Sequence, residues 1–139
     1  MNNIILLSCV SKKRSVKSPA EGMYTSTLFK LSLQFARKLK PDAIFILSAK
    51  YGLIALDEEI EPYDITLSEM KTSEREDWAE MVVKKLHGYT DLQKDHFVIL
   101  AGERYRHFLL PHLESYEIPM EGLRIGQQLQ FLKRQLENE

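Results

Sequence analysis

Residue types able to do chemistry gather where short apolar runs end. Ile4-Ile5-Leu6-Leu7 runs into Ser8-Cys9, with Lys12 and Lys13 just beyond; Ile44-Phe45-Ile46-Leu47 runs into Ser48-Ala49-Lys50-Tyr51-Gly52; Val98-Ile99-Leu100 runs into Ala101-Gly102-Glu103, with Arg104, Tyr105 and Arg106 close behind. A thiol beside ammonium groups has its thiolate favoured, which makes Cys9 a candidate catalytic nucleophile. The alternative is a small buried or ligand-lining residue, since no adjacent histidine is evident to take its proton. Ser8, Lys12 and Lys13 together suit a phosphate or carboxylate, because each Lys offers several donors on a flexible stem. Tyr24, Tyr51, Tyr63 and Tyr105, flanked by cations such as Lys50, suit a flat heterocycle held between a stacking face and a hydrogen-bonding rim. Rings that merely cap a core would read the same way. Asp64, after Pro62-Tyr63, is a candidate general base or acceptor for a base edge, or else a turn former.

Other chemistries lack their signatures. Neither GxGxxG nor GxxxxGK[ST] occurs, which disfavours a dinucleotide fingerprint or P-loop. His107 and His112 are separated by Pro111, and the remaining histidines have no partner at ligand spacing, so neither a metal nor any other cofactor is expected. There is no GxSxG elbow.

The elements that must position these residues follow from the same runs. Consecutive Ile-rich apolar residues are the pattern of strands buried on both faces of a parallel sheet. Strands are expected near residues 3 to 8, 43 to 48 and 96 to 101, with their carboxyl ends on one edge, where open α/β sheets bind ligands. A helix from Thr25 to Lys40 is expected to bury Leu28, Leu31, Phe35 and Leu39. A second, opened by a capping box of Ser73 and Glu76, is expected to bury Trp78, Met81, Val82 and Leu86 and to close at Gly88. A short helix carries Tyr105 and stops at Pro111. A weaker extended stretch near Tyr116 to Pro119 suggests a fourth strand, and a last helix from about Gly126 presents Leu129, Leu132, Leu136 and Ile125 on one face. The stretch from Gly52 to Leu67 reads as a long loop, expected to fold back so that Lys50, Tyr51, Tyr63 and Asp64 meet Ser8 and Lys12 in one pocket. The fold class is therefore α/β: three layers, a mainly parallel sheet of three to four strands, and helices on both faces.

Composition sets the outer bounds. A chain of 139 residues with 44% apolar content is expected to form a single domain over 1–139. Its 19 basic and 20 acidic side chains leave no overall field toward nucleic acid or membrane. A basic run (Lys12, Lys13, Arg14, Lys17) and an acidic run (Asp57, Glu58, Glu59, Glu61) read as solvated loops. One cysteine and no apolar stretch of about 20 residues point to a cytoplasmic protein without a membrane partner. Oligomeric state is left open.

Ser8-Cys9 with Lys12-Lys13, Met23-Tyr24-Thr25-Ser26, Ser48-Ala49-Lys50-Tyr51-Gly52-Leu53, Pro62-Tyr63-Asp64, and Leu100-Ala101-Gly102 with Tyr105 together resemble an uncharacterised family of small bacterial and phage proteins, over nearly the whole chain. More distantly the chain is similar to the peroxide-stress YaaA family of DNA-binding proteins, in its Tyr-Gly-Leu and Pro-Tyr segments. It is also similar to the catalytic region of archaeosine synthases, which modify a deazaguanine base in transfer RNA. The resemblance implies that Cys9, Lys12, Ser26, Tyr51, Tyr63 and Asp64 line a pocket related to nucleobase handling. The expected partner is a nucleobase or nucleotide, and the expected chemistry is base modification, as a transferase or hydrolase, linked to DNA or RNA. A nucleic-acid-binding module without catalysis, using Lys12 to Lys17, and a protein that sequesters a nucleotide are the alternatives.

Overall fold

The apolar runs become the centre of a sheet. A computed structural model describes residues 1–8 and 13–137. In chain order the elements are β1 (Asn3–Ser8), β2 (Ser18–Pro19), α1 (Ala20–Met23), α2 (Thr27–Lys38), β3 (Ala43–Ser48), β4 (Gly52–Ala55), β5 (Glu59–Ile60), α3 (Thr72–Tyr89), β6 (His96–Ile99), α4 (Glu103–Arg106), β7 (Ser115–Glu117) and α5 (Ile125–Glu137). The main sheet runs β4-β3-β1-β6-β7. β1 lies between β3 and β6 and is parallel to both, and β7 continues the parallel set; only β4 is antiparallel, as a hairpin back from β3. Ile4 to Leu7 are buried, as the unbroken apolar run requires for a strand covered on both faces.

The fold is α/β, with a mostly parallel sheet between helical layers. From β1 the chain crosses to β3 on one side through α2, and later through α3 to β6 on the other. Right-handed crossovers in opposite directions put α2 and α3 on opposite faces. α2 packs with α5, through Phe35 edge-on to Phe131 at 5.8 Å and through Lys38 donating to the carbonyl of Gln135. α3 packs on β4, and its Trp78 Nε1 donates to the carbonyl of Ser48 at 2.8 Å.

Several elements differ in detail from the sequence expectation. The sheet has five strands rather than three or four, because Gly52–Ala55 pairs with β3 instead of opening a loop. Gly52 makes this tight return possible: its φ is +79°, and a Cβ there would stand 2.7 Å from Met81 Cε. α2 buries Phe35 and half-buries Leu28 and Leu31 as expected, with Phe29, Leu33 and Ala36 widening the inward face; Leu39 is exposed because the helix, capped by Ser26 Oγ accepting from Phe29 N at 3.2 Å, spans Thr27–Lys38 and ends before it. α3 begins at Thr72, and its cap is the Glu74 carboxylate accepting from Lys71 N at 2.9 Å, not Ser73 with Glu76. It runs through Gly88 to Tyr89 and ends where Thr90 N and Oγ1 both donate to the Leu86 carbonyl. Met81 and Ile125 are exposed, off the buried faces assigned to them. Among the described residues no helix is long and apolar enough to cross a membrane.

Candidate functional site at the carboxyl edge of the sheet

β1 and β6 are neighbours whose onward connections depart to opposite faces. That is a topological switch point, where a crevice opens beyond the carboxyl ends of the strands. Here the two strand ends are joined directly: Ser8 Oγ accepts from Gly102 N at 3.0 Å, one step beyond the ladder bond from Leu100 N to Leu6 O at 2.9 Å. Beside this junction lies a cleft of about 280 Å³ between the segments leaving β6 and β7. Ile99, Ile118, Met120 and Leu123 line it together with Glu103, Arg106 and Gln128, and most of the surface it presents is polar. Arg106 is held by donating to the Ala101 carbonyl at 3.1 Å, and Gln128 Nε2 by donating to the Leu123 carbonyl at 2.9 Å. The lining thus offers a carboxylate acceptor beside guanidinium and amide groups, the set needed to read a heterocycle edge.

The loops that leave β1 and β3 come together, as their shared edge predicts. β2 pairs with β5, Ala20 N donates to Glu58 O and Glu21 N to Leu56 O, both at 2.8 Å. The hydroxyls of Tyr24 and Tyr63 share a hydrogen bond of 2.6 Å. Tyr63 meets Tyr51 edge-on at 5.8 Å between centroids, and Lys13 Nζ sits 4.5 Å over the Tyr63 ring. Lys50 Nζ stands 5.3 Å from the Tyr51 ring centre, and the Tyr51 hydroxyl accepts from Glu61 N at 3.0 Å. Lys13, Lys50, Tyr24, Tyr51 and Tyr63 therefore form one cluster.

What that cluster can do is narrower than stacking on a ligand by every ring. Tyr24 is 1% exposed and Tyr63 9%, so their faces are used on each other, on Phe29 and on Lys13. Tyr105 is buried against Trp78 on the α3 side, 5.7 Å between centroids. These three rings pack the core and fasten loops, and half-buried Tyr51 is the ring of the set left partly at the surface. Ser48 is fully buried, its Oγ accepting from Tyr51 N at 3.0 Å, which shapes the turn after β3. Ser26 caps α2. Asp64 is exposed beside buried Tyr63. Gly102 lines the cleft. Cys9 and Lys12 lie outside the described residues.

Residues 4–134 match the model of DUF6884, a family of unknown function. The chain belongs to that family. No curated protein and no solved structure matches it. For this member of DUF6884 the cleft residue that sequence reasoning passed over is Gln128, too far along the chain to join a motif, whereas Glu103 and Arg106 stand in the run already noted at the end of the third strand. Among its described residues, no group of three His, Cys, Asp or Glu side chains is arranged to hold a metal ion.

Proposed function

We propose that the protein handles a nucleobase or nucleotide at the carboxyl edge of its sheet. The observation that supports this best is the cleft beside the β1–β6 switch point, where Glu103, Arg106 and Gln128 share the lining with Ile99, Ile118, Met120 and Leu123. At about 280 Å³ it lies just below the usual range of ligand pockets, roughly 300 to 1,000 Å³, a size for one base or nucleoside rather than a dinucleotide. A carboxylate accepts from ring and exocyclic N–H groups while a guanidinium donates to ring nitrogen or carbonyl oxygen, so the two charges suit the mixed edge of a purine. The resemblance to archaeosine synthases read from the sequence supports chemistry on the base, with Cys9 and Asp64 as its candidate catalytic groups; Asp64 is exposed beside Tyr63 and is not among the residues that line the cleft. The similarity to the YaaA family supports a link to DNA. The basic run is a weaker basis for a nucleic-acid module, because Lys17 faces Glu59 at 3.9 Å and Lys13 covers Tyr63.

Thermal unfolding with purine bases, nucleosides, nucleotides and short duplex DNA tests the proposal. A purine ligand at 100 times its dissociation constant adds about 2.7 kcal/mol, with little dependence on salt. Arg106→Met abolishes that gain. Stabilisation by DNA alone, falling by about 0.9 log unit of affinity per log unit of salt for each phosphate contacted, favours the nucleic-acid module instead.

A further inference from the structure

A second cleft, of about 430 Å³, lies on the other side of α4 and is lined by Thr72, Arg75, Glu103, Arg104, His107 and Phe108. Glu103 lines both clefts, so the single turn of α4 is the wall between them. Arg106 stands on the side of the first cleft, and Arg104 and His107 on the side of the second. The walls of the second come from three directions: the first turn of α3, α4 itself, and the residues just after it.

Arg75 is the unusual member. Its Nε is out of reach of solvent and has no hydrogen-bond partner. Among the described residues neither Arg75 nor Arg104 has a carboxylate within ion-pair distance; the ion pairs there are Lys17–Glu59, Arg37–Glu21 and His96–Glu117. A partly desolvated guanidinium without a counter-charge is costly, and an oxyanion in the cleft relieves the cost by its charge while accepting from the Nη end of the fork rather than from the enclosed Nε. Arg104 adds a second guanidinium, and His107, set edge-on to Phe108 at 4.8 Å, adds a ring nitrogen. Thr72 brings the first turn of an 18-residue helix, whose amide end favours negative charge, though the Glu74 carboxylate that accepts from Lys71 N already supplies one there. Glu103 opposes these groups with one negative charge, and two guanidiniums outweigh it.

We propose that this cleft binds the phosphate monoester of a nucleotide whose base lies in the neighbouring cleft, across Glu103. The base half of the statement rests on the function proposed above; the anion half rests on Arg75, Arg104 and His107 alone. The ligand class is thus a mononucleotide rather than a free base or nucleoside, and planar Arg groups suit the doubly charged terminal phosphate better than a singly charged backbone diester.

Calorimetric titration of the full chain with guanosine, guanosine 5′-monophosphate and inorganic phosphate, with backbone amide spectra recorded in parallel, tests both halves. The monophosphate is expected to bind about tenfold or more tightly than guanosine, the gain typical of one charge-assisted contact. Arg104→Gln, at an exposed position, and Arg75→Gln each remove most of that margin and leave guanosine affinity unchanged. Inorganic phosphate alone shifts the amides of Arg104 and His107. Equal affinity for nucleoside and nucleotide, or a margin that survives Arg104→Gln, overturns the anion site and leaves the base site standing. Phosphate shifts at Arg104 and His107 without binding of either guanosine compound have the opposite meaning: the anion site stands and the base reading falls. Binding of short DNA alone overturns the monoester, and no response to any of these probes overturns both.

Discussion

Asp95 holds a charge in the interior because two backbone amides point at it. Its Oδ2 accepts from Asp91 N at 2.8 Å and its Oδ1 from Asn2 N at 2.9 Å, while the side chain as a whole is 4% exposed. The Asp91 amide is the largest influence and the Asn2 amide the next; together with the positive chain terminus they outweigh burial and hold the carboxyl below its ordinary value. A folded pKa below the unfolded one, about 3.9, contributes stability at pH above that value, and the contribution is lost as pH falls through the lower folded pKa. Asp95→Asn keeps the shape but leaves one acceptor for two amides. It is expected to cost about 1.5–3 kcal/mol in urea unfolding at neutral pH. The gap should close as the pH drops well below about 3.9, where the parent carboxyl is protonated too; a gap unchanged there refutes the account. Nothing in the sequence singles out Asp95, since the Asp91 amide reaches it only once the turn between them has formed and the second amide belongs to Asn2, which is remote in the chain. Ser8 and Gly102 were legible because strand ends announce themselves. Arg75 was legible in principle: it stands three and four residues before Trp78 and Ala79, a charge on an apolar helical face.

At the scale of elements, two positions set how the chain turns. Gly52 starts β4 in the left-handed region with Met81 Cε pressed against it. Gly52→Ala is expected to lose about 1–2 kcal/mol, most of it from φ, since the Met81 side chain is flexible enough to yield. An alanine variant with unchanged thermal stability refutes the backbone explanation. At the end of α2 the sign reverses: Lys40 has φ +50° and donates its amide to the Arg37 carbonyl, a cap that glycine enters without strain. Lys40→Gly is expected to raise stability by up to about 1 kcal/mol, read as an increased denaturant midpoint at unchanged slope. These turns also mark the limit of reading the sequence. β1, β3 and β6 were visible because burial on both faces writes an unbroken apolar run. β4 was not, since Gly52-Leu53-Ile54-Ala55 follows β3 after only a tight turn and is too short to show a period. β2 and β5 are two residues each, with nothing periodic to see. The inward face of α2 was legible in part, since Phe35 is buried and Leu28 and Leu31 half-buried as their spacing implies, while the burial of Phe29, Leu33 and Ala36 beside them follows from packing against β1 and α5.

For the molecule as a whole, β1 is the strand most enclosed. It is paired on both sides by parallel neighbours and covered on both faces, whereas β7 pairs on one side only and Tyr116 is exposed. Amide hydrogen exchange should therefore be slowest along Ile4 to Leu7, opening only with global unfolding, and fast in β7. Exchange from β1 ahead of β7 contradicts this ordering. β3 reaches β1 after about forty residues of chain, but β6 only after about ninety. While the polypeptide is being made, β1, α2, β3 and β4 can assemble as soon as their residues are free, yet the flank of β1 that faces β6 then has no partner. A nascent chain of that length carries an uncovered, Ile- and Leu-rich strand edge, the kind of surface that recruits other extended chains. The hazard lasts until His96–Ile99 emerge and dock, so slow elongation between β4 and β6 should lower the yield of folded protein more than a pause after β6.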